Sequence, residues 1–192
     1  MTAKAKGKVL AGFLGLGGRG RHERAGFQLY ATAVAAAHAP FPYTDLGVPD
    51  TLDGRFDLVG LHTFLVIHRL KAEPPPGPAV SQAVFDAMFS DMDINLREMG
   101  VSDMSIGKRV KAMWEAFHGR ASVYAAALDT GDTPALEAAL ARNIWRRAPA
   151  PEGSAAALAR LAIAQRAYLA EQRLAELTRG EVRFLPAAEA AQ

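Results

Sequence analysis

Cysteine is absent from the 192 residues of this chain. Its absence excludes disulfide bonds, thiolate metal ligands and a cysteine nucleophile together. The sequence also lacks any uninterrupted run of about 18 or more apolar residues, so it predicts no membrane-spanning helix. The chain is long enough for one well-filled core. We therefore expect a single globular domain.

The net charge is small but unevenly distributed. Residues 1–24 carry a net charge of +5 and the remaining residues −3, for a total of +2. We predict a flexible basic leader at 1–20, a folded domain at 21–180 and a frayed tail at 181–192. A basic leader attracts anionic lipid or RNA, although clusters of like charge also serve simply to keep a chain soluble.

Helical periodicity predominates after the leader. Phe85, Phe89, Met92 and Leu96 recur at steps of three and four, which places them on one helix face. Segments rich in proline and glycine separate successive helical patterns. No alternating strand pattern of useful length appears. We therefore predict an all-α domain of about six helices, at residues 21–37, 52–71, 80–99, 103–128, 133–144 and 154–178.

The helix predicted at 52–71 is apolar on nearly every side. A helix of this kind is normally buried at the centre of a bundle, so we predict that the other helices surround it. Asp50 or Thr51 is placed to cap its first turn, and Gly100 is placed to end the following helix. Thr133 is predicted to be the N-cap of the fifth helix, with Pro134 at the first helical position.

Two motifs in the sequence match binding patterns without their structural context. Gly15, Gly17 and Gly20 spell the G-x-G-x-x-G of dinucleotide-binding proteins, but a proline-broken loop follows where the second strand is required. Asp91, Asp93 and Asn95 fit the start of a calcium-binding loop, but neither its glycine nor its final glutamate is present. We predict no dinucleotide site, and a charged helix face at 91–98.

Groups that would carry catalysis are also missing. His62 and His68 are six residues apart, which separates them by roughly 240° around a helix, so they cannot share a metal from that helix. The serines lie in helical or capping contexts rather than at a nucleophile elbow. We therefore predict that the chain is not an enzyme and that it has no catalytic residue, cofactor site or metal site.

Two long segments carry a family resemblance. These are "GVPDTLDGRFDLVGLHTFLVIHRL" and "SQAVFDAMFSDMDINLREMGVSDMSIGKRVKAMWEAFHGRASVYAAAL", followed by "LARNIW". Together they closely resemble the ubiquinol–cytochrome c chaperone family over about residues 30–145. The family pattern commonly has proline where Gly107 stands and tyrosine where His118 stands.

The resemblance implies an all-α, non-enzymatic assembly factor for the cytochrome bc1 complex that binds newly made cytochrome b. It implies a cytoplasmic protein, peripheral at the inner membrane, or one on the matrix side in a mitochondrion. The basic leader is the expected contact with the ribosome or the membrane surface, and no contact with DNA is expected. The oligomeric state stays open.

The charged and aromatic side chains in these segments are the predicted partner-binding residues, since arginine and aromatic groups often anchor interfaces. They are Asp50, Asp53, Arg55, Arg97, Glu98, Trp114, Phe117 and Arg120. Some of the charged ones are expected to form internal ion pairs instead. The alternative function left open is a helical binding module for RNA, the ribosome or a small ligand.

Overall fold

The computed structural model describes residues 4–146 and 148–192, with side chains from Gly20 onward. The described residues are all-α, without a strand, which confirms the predicted fold class. The six predicted helices are present, together with three helices of a single turn. In chain order they are α1 (Lys4–Ala37), α2 (Phe41–Thr44), α3 (Leu52–Lys71), α4 (Gly77–Glu98), α5 (Asp103–Thr130), α6 (Thr133–Ile144), α7 (Ser154–Glu171), α8 (Leu174–Leu177) and α9 (Ala187–Ala190).

Helix α3 is the centre of the bundle, as its apolar circumference predicts. It packs against α1, α4, α5, α6 and α7, and every residue from Asp57 to Ile67 is buried. Thr51 begins the helix, because its Oγ1 accepts a hydrogen bond of 3.2 Å from the backbone N–H of Gly54. This contact satisfies one of the N–H groups that the first turn of a helix leaves unpaired.

Helix α1 begins at Lys4 rather than near residue 21, so the predicted boundary of the first helix is wrong. The backbone from Gly15 to Gly20 is helical and does not form the turn that a dinucleotide-binding motif requires. Residues 1–3 of the predicted leader lie outside the described residues. The division into leader, domain and tail stays a prediction.

The predicted end of α4 is confirmed in detail, and the predicted cap of α6 is shifted by one residue. Gly100 follows α4 with a φ of +78°, the left-handed conformation typical of a helix-ending glycine. At α6 the cap is Asp132 rather than Thr133, since Asp132 Oδ1 accepts a hydrogen bond of 2.9 Å from the N–H of Ala135. The threonine is instead the first residue of the helix.

The C-terminal part differs most from the prediction. Helix α7 ends at Glu171 instead of continuing to residue 178, and the tail is packed against it. Gln165 donates to the carbonyl of Leu185 (2.8 Å) and accepts from its N–H (2.9 Å). Gln172 holds Arg183 in the same way, at 2.7 and 2.9 Å. Between them, the ring of Phe184 meets the ring of His62 on α3, with 5.4 Å between centroids.

Close packing of α1 against α4 requires a glycine at position 26. A Cβ there would lie 2.5 Å from the backbone carbon of Ala83. We expect Gly26→Ala to lower the free energy of unfolding by about 1–3 kcal/mol, because the two helices would have to separate. Urea denaturation measures the change. Gly119→Ala on α5 is the matched control, since a Cβ there meets nothing within 4 Å and alanine favours the helix. Equal destabilisation of both variants would contradict the prediction.

Candidate functional site

A concave surface of the described residues lies where α3, α4 and α5 face one another. It is a groove of about 800 Å³, to which each of the three helices contributes one stripe of side chains. We call it the aromatic groove, because four of its lining residues are Phe64, Phe85, Trp114 and Phe117. Its volume is in the range of sites that hold a ligand or a short partner segment.

The aromatic side chains form a connected cluster rather than isolated contacts. Phe117 is buried, and its ring lies 5.9 Å from that of Phe85. His118 bridges the cluster to the surface, with ring centroids 5.3 Å from Phe85 and 4.0 Å from Trp114. Trp114 is 45% exposed. The groove therefore has a rigid aromatic floor and an exposed tryptophan at one end.

The polar lining of the groove contains no acidic side chain of the described residues. It includes Lys71 and two histidines, His68 and His118. His68 contacts Asp129 at the far end of α5, with 3.2 Å between Nε2 and Oδ1. Nδ1 of His118 donates to the carbonyl of Trp114 at 3.0 Å, which fixes the orientation of its ring. The groove therefore combines an aromatic floor with a few polar groups at its rim.

Only two of the predicted partner-binding residues, Trp114 and Phe117, meet in the aromatic groove. Asp50 and Arg55 form an exposed pair before and within the first turn of α3, with 2.6 Å between Oδ1 and Nε. Asp53 lies exposed on the same turn. These three side chains do not line the groove.

Arg97, near the end of α4, pairs with carboxylates on both sides of the α4–α5 connection. It contacts Asp93 on its own helix at 2.7 Å and Asp103 at the start of α5 at 2.6 Å. Glu98 is exposed beside it. The supposed calcium-binding segment is helical, and Asp91 accepts a hydrogen bond of 2.7 Å from Tyr30 on α1. The interpretation of this segment as a charged helix face is correct.

Arg120, the last of the predicted partner-binding residues, forms a largely buried ion pair. It pairs with Asp57 on α3, and Arg146 after α6 pairs with the same carboxylate oxygen. Only 1% of the Asp57 side chain is exposed, and its Oδ2 has no hydrogen-bond partner. Burial raises the pKa of Asp57 to about 6, although both arginines act to lower it. We call these three side chains the Asp57 cluster.

Sequence reasoning did not single out Asp57 or Arg146. One sequence feature could have identified Asp57: it is an acidic residue inside a helix that is otherwise apolar on nearly every side. A buried charge nearly always has a partner, so this position predicts an ion pair. A cavity of about 320 Å³ lies beside the cluster and is lined by Asp53, Asp57 and Arg146 among others. The cluster ties α3, α5 and the end of α6 together, which is a structural role.

His62 is a core residue, as expected for a lone histidine on a buried helix. It is 1% exposed, and its Nδ1 donates to the carbonyl of Leu58 at 2.9 Å. Burial lowers its pKa, so the ring is neutral at physiological pH. Across the part of the chain that the structure describes, no helix combines the length and the apolar character that crossing a membrane requires.

The all-α fold and the sequence together place this chain in a family of chaperones. The chain belongs to the ubiquinol–cytochrome C chaperone family, whose model matches residues 44–184. The resemblance noted in the sequence is thereby confirmed. The match extends well beyond residue 145, into α7 and the packed tail.

Two relatives illustrate the range of the similarity. The Cbp3 homologue from Brucella abortus, known from a crystal structure, is 34% identical, with a TM-score of 0.81 over 94% of this chain and 98% of that one. Ubiquinol-cytochrome-c reductase complex assembly factor 1 from Xenopus laevis is 24% identical over 123 residues. That match spans 64% of this chain and 61% of the frog protein, so the chain corresponds to about three-fifths of that relative.

Proposed function

We propose that this protein is a non-enzymatic chaperone that assists the assembly of ubiquinol–cytochrome c reductase by binding newly made cytochrome b. Family membership supports the general role, since the matching family is one of ubiquinol–cytochrome C chaperones. The name of the frog relative, an assembly factor of the same complex, supports it further. Cytochrome b as the client is the more specific part of the proposal.

The observation that carries the proposal is the aromatic groove. An immature membrane protein presents apolar helices, and grooves with hydrophobic lining commonly bind helices through a few large anchors. Trp114 and Phe117 are the proposed anchors, because they lie in the groove at a helical spacing. A chaperone needs such a surface and no catalytic group.

For the charged residues we propose two roles. Asp50, Asp53, Arg55, Arg97 and Glu98 are exposed, so they are available as polar contacts outside the groove. Arg120 supports the client surface indirectly, because it holds α5 against α3 through Asp57.

Deleting the gene in its host tests the function. We expect the level of assembled bc1 complex and of cytochrome b to fall severalfold, because unbound cytochrome b helices aggregate or are degraded. Difference spectra of the membranes measure cytochrome b, and a plasmid copy of the gene should restore it. An unchanged cytochrome b level would refute the proposal.

The basic leader suggests where the protein works. We propose that it acts in the cytoplasm at the inner-membrane face, with the positive charge of residues 1–24 drawn to the membrane or the ribosome. The competing role, a module that binds RNA through this leader, predicts binding that weakens steeply with salt and disappears when residues 1–24 are removed. Cytochrome b association that survives this truncation would favour the chaperone.

A further inference from the structure

The N-terminal turns of α1 combine apolar and basic residues in a pattern that charge alone does not explain. The helix runs without a break from Lys4 to Ala37. Among the side chains that the structure describes, those at 20–24 are exposed or half-buried, and burial in the bundle begins at Ala25. The helical residues 4–24 precede this point, and at 1.5 Å per residue they are about 30 Å long.

The apolar residues of this segment fall on one side of the helix. Because an α-helix turns by about 100° per residue, the sequence determines the angular position of each residue around α1. Lys4, Lys8 and Arg19 fall within about 60° of one another. Lys6 and Arg21 lie beyond the two ends of the apolar stretch along the helix. The large apolar residues share a sector of about 160° opposite the first three cations, which we call the apolar sector; they are Val9, Leu10, Phe13, Leu14 and Leu16.

The charge of the segment has a single sign. Up to residue 22 the sequence contains five lysines or arginines and no acidic residue, since the first acidic residue is Glu23. A helix with one apolar side and a basic polar side lies flat in a membrane surface, where anionic headgroups attract the cations. The apolar stretch at 9–16 is about 12 Å long, whereas the hydrocarbon core of a bilayer is about 30 Å thick. The segment is therefore too short to cross a membrane but long enough to lie in its surface.

We propose that residues 4–21 are an in-plane anchor that binds a membrane surface rich in anionic lipid, with the apolar sector facing the acyl chains. This inference deepens the proposed function and rests on it for the choice of the inner membrane. Lipid is favoured over RNA, because RNA phosphates bind cations but offer no burial for five large apolar residues. The anchor keeps the aromatic groove near the membrane into which cytochrome b is inserted.

Two double substitutions that add the same side chains test the apolar sector. Phe13→Gln with Leu14→Gln places two glutamines within the sector, whereas Ala11→Gln with Gly15→Gln places them opposite it. Neither pair changes the net charge. The probe is a phosphatidylcholine vesicle with about 30% phosphatidylglycerol, and co-sedimentation measures binding of the full chain. The first pair should weaken binding about tenfold, and the second pair should leave it nearly unchanged.

The composition of the vesicles and the fold of the variants provide the controls. Vesicles of phosphatidylcholine alone should bind the wild type much more weakly, since they lack the anionic charge. Helical circular dichroism should show both double variants folded like the wild type. Equal binding by the two variants, or a wild type that does not bind the anionic vesicles, would overturn the inference.

Fluorescent labels test the orientation of the anchor. The chain has no cysteine of its own, so Phe13→Cys and Gly15→Cys each provide a single site for an environment-sensitive fluorophore. These positions lie about 200° apart around the helix. With anionic vesicles the label at 13 should shift to the blue and be quenched by brominated lipid, whereas the label at 15 should behave as in water. The same response from both labels would contradict an in-plane helix.

Other occupants of the apolar sector give different results. If the chain binds homopolymer RNA instead of vesicles, and both double variants bind it equally, the segment is an RNA-binding tail. If the wild type ignores vesicles and Phe13→Gln with Leu14→Gln converts a dimer into a monomer, the sector is an interface between two copies. Either result would refute the anchor.

Failure of the anchor differs from failure of the proposed function. If the wild type does not bind anionic vesicles but deletion of the gene lowers cytochrome b, the anchor is wrong and the chaperone role stands. If the wild type binds these vesicles through the apolar sector but the deletion leaves cytochrome b unchanged, the chaperone role is wrong and the anchor stands.

Discussion

Alanine in place of Asp57 is expected to lower the free energy of unfolding by about 3–5 kcal/mol. The carboxylate holds Arg120 of α5 and Arg146 after α6, and its removal leaves these cations without their buried partner. The Arg120 side chain is only 18% exposed, so water cannot fully replace the contact. Denaturation in guanidinium chloride, followed by helical circular dichroism, measures the change.

An exposed ion pair provides the control for this substitution. Asp50 contacts Arg55 in the same part of the chain, but more than half of each side chain is exposed. Asp50→Ala should therefore leave stability nearly unchanged. If both alanine variants unfold at the same denaturant concentration, Asp57 does not hold the bundle together. Replacing Asp57, Arg120 and Arg146 together by apolar residues should recover much of the loss, because no buried charge is then left unpaired.

The stability of the protein should also depend on pH through Asp57. Burial raises the pKa of this carboxyl group from 3.8 to about 6 in the folded state. Between these pH values the folded protein binds the proton more strongly than the unfolded chain does. The stabilising contribution is therefore complete below about pH 4 and is lost as the pH rises through 6, by at most about 3 kcal/mol.

Comparison with Asp57→Asn isolates this contribution from the other carboxyl groups. The free energy of unfolding of the wild type minus that of the variant should decrease as the pH rises from 4 to 7. The groups that oppose or assist the shift are Arg120 and Arg146, which lower the pKa, and Asp53, which raises it. A difference that increases with pH would mean that the two arginines outweigh the burial of the carboxylate.

Local patterns were sufficient to predict the helical bundle. The apolar circumference of α3 predicts its central position. Capping rules predict Gly100 after α4 and limit the cap of α3 to Asp50 or Thr51, because each of these signals lies within one or two turns of its effect. The end of α7 was not predictable in this way. Its sequence continues to favour a helix past Glu171, but the chain turns at Gln172, whose carbonyl accepts from Arg69 on α3 at 3.1 Å. That partner is 103 positions away in the sequence.

The candidate site also depends on contacts between residues that are far apart in the sequence. Trp114 and Phe117 stand out in the sequence as aromatic residues on an amphipathic helix, and the structure places both in the groove. The groove itself requires α3, α4 and α5 to be positioned, which no single helix pattern specifies. The sequence predicts Arg120 as a partner-binding residue. Its ion-pair partner Asp57 lies 63 residues away in the sequence, so only the folded chain identifies this pair.

The glutamines of α7 determine which substitutions the tail can tolerate. Gln165 and Gln172 recognise the peptide groups of Leu185 and Arg183, not their side chains. The backbone contact accepts any residue at 183 except proline, which has no N–H to donate, whereas Leu185 also packs against the hydrophobic core. The order of the tail is therefore encoded jointly by two glutamines outside it and by its own apolar side chains, Phe184 and Leu185.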